Sequence, residues 1–208
     1  MSTKNAVCRK CRRAGLKLFL KGERCYTQKC PMIRKPYPPG VHKNKFSQLS
    51  DYGKQLKEVQ KIKWTYGISE TQFKRYLEEA KKQKELITAD ALKQILERRI
   101  DNVVFLAGFA TSRKQARQLV SYGHFYLNGR KITIPSYLVK PNDVISLKEK
   151  TKKTKLIEKI KKPKENYQPP KWLEVDLKNL TIKIKRLPLP EEINLPFDYE
   201  LAIEFYSR

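Results

Sequence analysis

Negative charge is what this 208-residue chain has least of: 21 Asp and Glu stand against 46 Lys and Arg, a formal net charge of +25. A surplus that large, spread over most of the chain, points to a polyanionic partner. Long apolar runs are missing as well. No stretch approaches the roughly 18 consecutive apolar residues of a membrane-spanning helix, so no membrane partner is read. Met1 to Lys10 (MSTKNAVCRK) lacks an apolar h-region, which argues against a secretory signal. There is no G-x-x-x-x-G-K-[ST] phosphate cradle and no nucleotide-binding histidine signature, and there are two histidines in all, so no catalytic module is read. What is present suffices to fold. A hydrophobic content of 39% over 208 residues permits one or two cores. Acidic residues are interspersed among the basic ones, unlike in a disordered basic tail.

The four cysteines, Cys8, Cys11, Cys25 and Cys30, form a C-x2-C-x13-C-x4-C array, CRKCRRAGLKLFLKGERCYTQKC. Two close pairs joined by a short connector suit a tetrahedral tetrathiolate site, each pair supplying one edge. Zinc is the first choice. An iron–sulfur cluster uses the same four ligands, and two disulfides are the remaining alternative, disfavoured in a reducing compartment. Four thiolates around a divalent zinc leave a charge of about −2. Arg9, Lys10, Arg12, Arg13, Lys21 and Arg24 can offset it and lower the thiol pKa values. With no open ligand position and no flanking acid or base, the site reads as structural. Such a site folds a segment too small to fold alone, with apparent binding worth about 10–16 kcal/mol.

PMIRKPYPPGVHKNK follows, and its prolines predict an extended segment without helix. Arg34, Lys35, Lys43 and Lys45 leave it little to pack on except an anion; the alternative is a mere linker. Helical periodicity begins at Asp51 and runs to Tyr66, with Tyr52, Leu56, Val59 and Ile62 on one side and Gly67 as the stop. Ser69 opens a second helix through Phe73, Tyr76, Leu77 and Ala80. Thr88 opens a third, whose stripe of Leu92, Ile95, Leu96, Val103 and Leu106 predicts one continuous helix to about Ala107.

Arg98 to Ser146 is the most informative stretch. Ser112 with Gln115 has capping-box spacing, and Gly123 supplies a left-handed stop, so a short helix is predicted between them. Ala116, Leu119 and Val120 share one face; Arg113, Lys114 and Arg117 share the neighbouring one. Phe125 to Leu127, Asn128-Gly129, and Arg130 to Ile134 read as a hairpin, because Asn-Gly supplies the positive φ angles of a two-residue turn. Lys140-Pro141-Asn142-Asp143 turns the chain into a strand from Val144 to Leu147. Fixed guanidinium and ammonium groups on such a unit suit a folded phosphate backbone; an ordinary solvated basic face is the alternative. Beyond Leu147 a lysine-dense stretch predicts a short basic helix over Thr154 to Lys161 and a loop over Pro163 to Lys171. Two strands follow, Trp172 to Val175 and Leu180 to Leu187. FDYELAIEFYSR, with Leu201, Ile203, Phe205 and Tyr206 to bury, is too apolar for a free end and should dock on the N-terminal helices.

RRIDNVVFLAGFATSRKQARQLVSYGHFYLNGRKITIPSYLVKPNDVI resembles the S-four RNA-binding domain. The flanks, from the cysteine array through RKPYPPG, DYGKQLKEVQK and LERRIDNVVF to LPLPEEINLPFDYELAIEFYSR, resemble the bacterial-type family of small-subunit ribosomal protein four over nearly the whole chain. Three segments depart from the family pattern: the basic cluster after the proline–glycine turn is thinned to His42-Lys43-Asn44-Lys45, the usual glycines are missing around Gln83 to Thr88, and 148–171 is unusually rich in lysine.

The resemblance implies an α+β protein. Residues 1–45 would form the metal knuckle and an extended basic segment, 46–97 with 189–208 a helical domain completed by the C-terminal tail, and 98–188 the inserted S-four domain with a small, mostly antiparallel sheet. It further implies a non-enzymatic constituent of the small ribosomal subunit, cytoplasmic within the ribosome, with an organellar source left open. Such a protein binds small-subunit ribosomal RNA at a multi-helix junction of the 5′ domain and nucleates assembly. It also touches small-subunit protein five, contributes to translational accuracy and lines the mRNA entrance channel.

Junctions in A-form RNA are recognised by shape through phosphate and 2′-OH contacts, which Arg and Lys carry. The candidates are Arg9, Lys10, Arg12, Arg13, Arg34, Lys35, Lys54, Lys57, Lys61, Arg99, Arg113, Lys114, Arg117, Arg130 and Lys131. Tyr37, Tyr66 and Tyr122 can stack on bases, though core packing is the plainer role. Two other classes fare worse. An RNA-modifying or aminoacylating enzyme needs a catalytic module; His42 and His124 suit RNA contact or packing better, and Asp90, Asp101 and Asp143 read as helix or turn residues. A zinc-dependent DNA-binding regulator needs a recognition helix near the cysteines, and AGLKLFLKGER is too short and apolar for one.

Overall fold

The computed structural model describes residues 6–41, 48–152 and 168–207. The helix expected over 154–161, the start of the loop from 163 and the basic cluster at 42–45 lie outside these residues. In chain order the elements are α1 (Ala6–Ala14), a 3-10 turn (Gly22–Tyr26), α2 (Pro31–Arg34), α3 (Asp51–Tyr66), α4 (Glu70–Lys82), α5 (Thr88–Glu97), α6 (Ile100–Leu106) and α7 (Arg113–Ser121). Strands β1 (Phe125–Leu127), β2 (Arg130–Ile132) and β3 (Val144–Leu147) follow, then α8 (Glu149–Lys152), β4 (Leu173–Asp176), β5 (Thr181–Ile184), a 3-10 turn (Pro190–Glu192) and α9 (Tyr199–Glu204). The chain divides into two compact units, Met1–Leu92 with Leu195–Arg208, and Lys93–Asn194.

The first unit is helical. Ser50 caps α3 by accepting from the Gly53 N–H at 3.2 Å, and Gly67 ends it at φ +66°. Ser69 caps α4 by accepting from the Gln72 N–H at 3.3 Å. Val59, Ile62 and Tyr66 of α3 are buried, as are Phe73, Tyr76, Leu77 and Ala80 of α4. The C-terminal α9 packs on α3, as its composition predicts. Tyr52 meets Phe205 at 5.4 Å between ring centroids, Phe73 meets Tyr206 at 5.6 Å, and Gln55 Nε2 donates to Glu204 at 3.0 Å. The tail buries Tyr199 and Ala202 fully and its four expected anchors only in part, because a helix of six residues offers one narrow stripe. A small satellite core joins Cys11, Ala14 and Leu18 to Met32, Trp64 and Phe197.

Two local expectations need correction. The prolines after Cys30 do not exclude helix: Pro31 opens α2 at its first position, where a missing N–H costs nothing. The third helix is not continuous. Arg99 is extended (φ −62°, ψ 132°) and bridges Leu138; Ile100 N–H donates to Tyr137 O at 2.8 Å, and Val139 N–H to Arg98 O at 2.9 Å. The apolar stripe runs on, but these strand-like bonds take the backbone groups that a single helix needs.

The second unit sets α6 and α7 against a five-stranded antiparallel sheet of order β2-β1-β3-β5-β4. Its core includes Val103, Val104, Phe109, Ala116, Phe125, Ile145, Trp172 and Ile182, all nearly inaccessible to solvent. Each large apolar side chain buried in this way contributes about 1.5–3 kcal/mol to holding the helices on the sheet.

Candidate nucleic-acid interface

Both ends of α7 are fixed by the residues flagged in the sequence. Ser112 Oγ accepts from the Gln115 N–H at 3.3 Å, while Gln115 Oε1 reaches back to the Thr111 N–H at 2.8 Å and its hydroxyl at 2.7 Å. At the other end Gly123 (φ +69°) donates to Val120 O and His124 N–H to Leu119 O, the paired bonds of a Schellman stop. On this helix Ala116, Leu119 and Val120 face the core, while Lys114 and Arg117 are exposed three residues apart, hence on one face.

Lys131 is placed against the same helix end. A Cβ on Gly123 would stand 2.2 Å from Lys131 Cε, so the lysine stem lies across the glycine. That close approach carries a cation toward the C-terminal end of α7, where the helix dipole favours it. The hairpin turn itself is locked. Asn128 (φ +50°) and Gly129 (φ +79°) form the two-residue turn, Asn128 Nδ2 donates to Asp143 Oδ1 at 2.8 Å, and Asn128 Oδ1 accepts from the Val144 N–H at 2.9 Å. Asp143 also accepts from the Lys140 N–H at 2.8 Å, joining the two turns. Arg130 and Lys131 therefore leave a fixed frame into solvent. This Asn128–Asp143 link has no signature in the sequence, since its partners are set by the sheet register.

Two candidate contacts have internal duties. Arg99 is 1% exposed, and its guanidinium holds Asp101 in a two-point pair, Nε to Oδ1 at 3.0 Å and Nη2 to Oδ2 at 2.6 Å. The surface contact expected of it is not offered, because the break before α6 turns the side chain inward. Arg113 is half-buried; Nε donates to Asn102 Oδ1 at 2.7 Å and Cζ lies 4.6 Å from the Phe105 ring centroid, tying α7 to α6. His124 is bonded to Thr151 Oγ1 at 2.9 Å. Of the tyrosines, Tyr66 is core, Tyr37 is half-buried, and Tyr122 stands 66% exposed at the end of α7, against its expected packing.

In the helical unit Arg9, Lys10 and Arg13 are exposed on α1, and Arg34 and Lys35 on the segment after it. Arg12 is half-buried. It donates to Tyr37 O at 2.9 Å and Pro38 O at 3.3 Å, with Cζ 4.7 Å from the Tyr37 ring centroid. The proline segment thus packs on an arginine and is neither a bare linker nor held only by an anion. On α3, Lys54 pairs with Asp51 at 2.9 Å in solvent, a contact worth little. Lys61 pairs with Glu58, whose other oxygen accepts from the Asp198 N–H at 3.3 Å at the head of α9, so Lys61 serves tail docking. Lys57 is half-exposed.

All four cysteines are free thiols and line one pocket with Leu20, Lys21 and Pro31. Cys8 and Cys11 share a face of α1, and the Lys21 N–H donates to Cys25 Sγ at 3.4 Å. Burial pushes the Cys11 and Cys25 thiols up; backbone N–H bonds from Leu18 and Lys21 oppose it, and the neighbouring thiols add to it. Arg24 lines the same pocket, and the charge of Lys17 opposes the rise at Cys25 as its smallest contribution. The donor set suits a thiophilic ion, though among the described residues no three His, Cys, Asp or Glu side chains are gathered closely enough to hold one.

Comparison with known proteins places this geometry. The model of the ribosomal protein S4/S9 N-terminal domain matches residues 2–97, and that of the S4 domain matches 98–145. Small ribosomal subunit protein uS4 of Caldicellulosiruptor bescii is 53% identical over 202 residues, covering 97% of this chain and 96% of that protein. The chain belongs to the uS4 family. Family members named likewise from Halothermothrix orenii (49% identical over 205 residues, 99% and 98% covered) and Thermotoga petrophila (50% over 203 residues, 97% of each) agree. The S4 match covers α6, α7 and β1–β2 and ends early in β3, so β4 and β5 extend the S4 sheet beyond it. Among the described residues, no helix is long and apolar enough to cross a membrane.

Proposed function

We propose that this protein is a structural, non-enzymatic constituent of the small ribosomal subunit that binds small-subunit ribosomal RNA at a multi-helix junction of the 5′ domain, and by holding it nucleates assembly. The observation that carries this reading is the rigid S4 platform, on which Lys114 and Arg117 are exposed on a helix fixed at both ends and Lys131 is seated over its C-terminal turn. A surface that does not rearrange suits an RNA recognised by shape, since little ordering entropy is lost on binding. Arg9, Lys10, Arg13, Arg34, Lys35 and Arg130 add phosphate contacts. By family likeness the protein also touches small-subunit protein five, influences decoding accuracy and borders the mRNA entrance channel. Cys8, Cys11, Cys25 and Cys30 are the ligand set for a structural zinc, with an iron–sulfur cluster as the second choice, and would draw together around the ion as it binds; the spacing, the shared pocket and the N–H bond to Cys25 sulfur support it. Bound there, the ion would fix α1 against the loop from Gly22 to Cys30.

The test is a competition among a 5′-domain transcript, bulk transfer RNA and duplex DNA across a salt series, with elemental analysis of the same sample. Saturable 5′-domain binding that survives excess competitor is the expected result. Equal affinity for all three polyanions would overturn the assignment.

A further inference from the structure

One concave surface of the helical unit combines features that phosphate contact alone does not require. Arg9, Lys10, Arg12 and Arg13 of α1 line it with Pro39, Gly40 and Trp64. The tryptophan is half-buried, packed on the satellite core of Cys11, Ala14 and Leu18, so its ring is held by the protein interior while part of it stays open. Lys10 Nζ lies 5.7 Å from the indole centroid, a cation over an aromatic face in a wall of further cations. The Pro39–Gly40 part of the lining is clamped, because Arg12 binds the carbonyls of Tyr37 and Pro38 immediately before it. Gly40 holds φ +120°, and no atom lies within 4 Å of where its Cβ would stand. An indole in a basic cleft has a plain chemical complement: the flat face of a base, with its phosphate reaching the arginines.

We propose that this cleft accommodates one unstacked nucleotide of single-stranded RNA, its base against the Trp64 ring and its phosphate against Arg9 and Arg13. The flexible Lys10 exchanges its ring contact for the phosphate as the base enters. The proposal deepens the ribosomal-RNA reading and rests on it for the source of the nucleotide. A protein ligand fits less well, since an acidic peptide would satisfy the cations and leave the indole unused.

The protein has two tryptophans, and Trp172 is 2% exposed in the other unit, so Trp64 is a selective reporter. Titrating the full-length protein with a single-stranded oligouridylate should quench its fluorescence, and the quench should vanish in Trp64→Phe, which still binds. Inorganic polyphosphate should bind without quenching. Trp64→Leu, which keeps an apolar side chain on the satellite core, should weaken oligouridylate binding about tenfold, the scale of one lost stack, with an unchanged salt slope. Binding of labelled oligouridylate without any quench, or at equal strength by Trp64→Leu, would overturn the cleft. The 5′-domain competition run alongside keeps the readings apart. Preserved 5′-domain preference with no quench sinks only the cleft; a quench without 5′-domain preference supports the cleft and sinks the source assigned to its nucleotide.

Discussion

Removing Asp101 should unfold the S4-containing unit far more readily than removing any exposed charge. Arg99 and Asp101 are 1% and 3% exposed and share two hydrogen bonds. Asp101→Ala leaves a guanidinium buried opposite an apolar side chain, a loss of about 3–5 kcal/mol, against the roughly 5–15 kcal/mol that holds a typical domain together. With a urea dependence of about 2 kcal/mol per molar, the unfolding midpoint should fall by about 1.5–2.5 M at constant slope. Trp172 lies in the core of this unit, so its fluorescence in a Trp64→Phe background reports this transition selectively. Replacing both partners, Arg99→Met with Asp101→Leu, should recover much of the loss, because neither member of the pair is then left buried without the other. A midpoint shift under about 0.5 M for Asp101→Ala would refute the reasoning. So would an Arg99→Ala protein of normal stability whose salt slope for RNA binding had fallen by about 1, which would return Arg99 to the phosphate contacts.

Other perturbations separate contact from scaffold. Lys114→Ala with Arg117→Ala should lower the slope of log affinity against log salt for a 5′-domain transcript by about 2, with a much smaller effect on thermal unfolding than Arg113→Ala; Arg113→Ala should destabilise the fold, since it removes the Asn102 and Phe105 contacts. Gly123→Ala should cost about 1–2 kcal/mol for the left-handed backbone, read in urea titrations, while its Cβ pushes the flexible end of Lys131 off the helix terminus, so RNA affinity should drop in binding titrations. Burial would raise Glu70, but bonds from Lys63 and Tyr206 and the charges of Lys63 and Lys74 outweigh it, so its carboxyl sits below the usual 4.5. The stability it adds is complete above that value and is lost as pH falls through the folded pKa. Tyr206 is pushed above 10.0, first by burial and then by Glu70, so its contribution holds below that pH and is lost as the phenol ionises. Glu70→Gln should therefore flatten the acid limb of urea midpoint against pH, and Tyr206→Phe the alkaline limb. Stripping metal with a strong chelator, or Cys25→Ser, should loosen residues 8–34 in hydrogen exchange while leaving the Trp172 transition in place; unchanged exchange would count against the structural ion.

Local chemistry explains where the sequence reads correctly. Ser69 and Ser112 cap the helices they precede, and Gly67 and Gly123 stop theirs in the left-handed region. Asn128-Gly129 makes its hairpin, and Asn142 turns the chain into β3 at φ +68°. In each case the partners lie within a few residues, so spacing alone specifies the geometry. The errors fall where distant segments compete. The stripe from Leu92 to Leu106 satisfies one helix, yet residues 98–99 bond to 137–139 and split it in two. Pro36 to Pro39 reads as unpartnered until Arg12 reaches its carbonyls from α1.

The basic residues mark the division most clearly. A net charge of +25, the cysteine spacing and the motif order from Arg98 to Ser146 were enough to name a polyanion, a metal candidate and a family. Charge and short-range spacing survive any arrangement of the chain, so they are legible without it. Which cations face solvent is not. Lys114 and Arg117 do, whereas Arg99 is turned inward to Asp101, Arg113 is bound to Asn102 and Lys61 to Glu58. A side chain is claimed by whichever carboxylate, amide or ring the fold brings within about 3–5 Å, and those neighbours are chosen by packing and strand register.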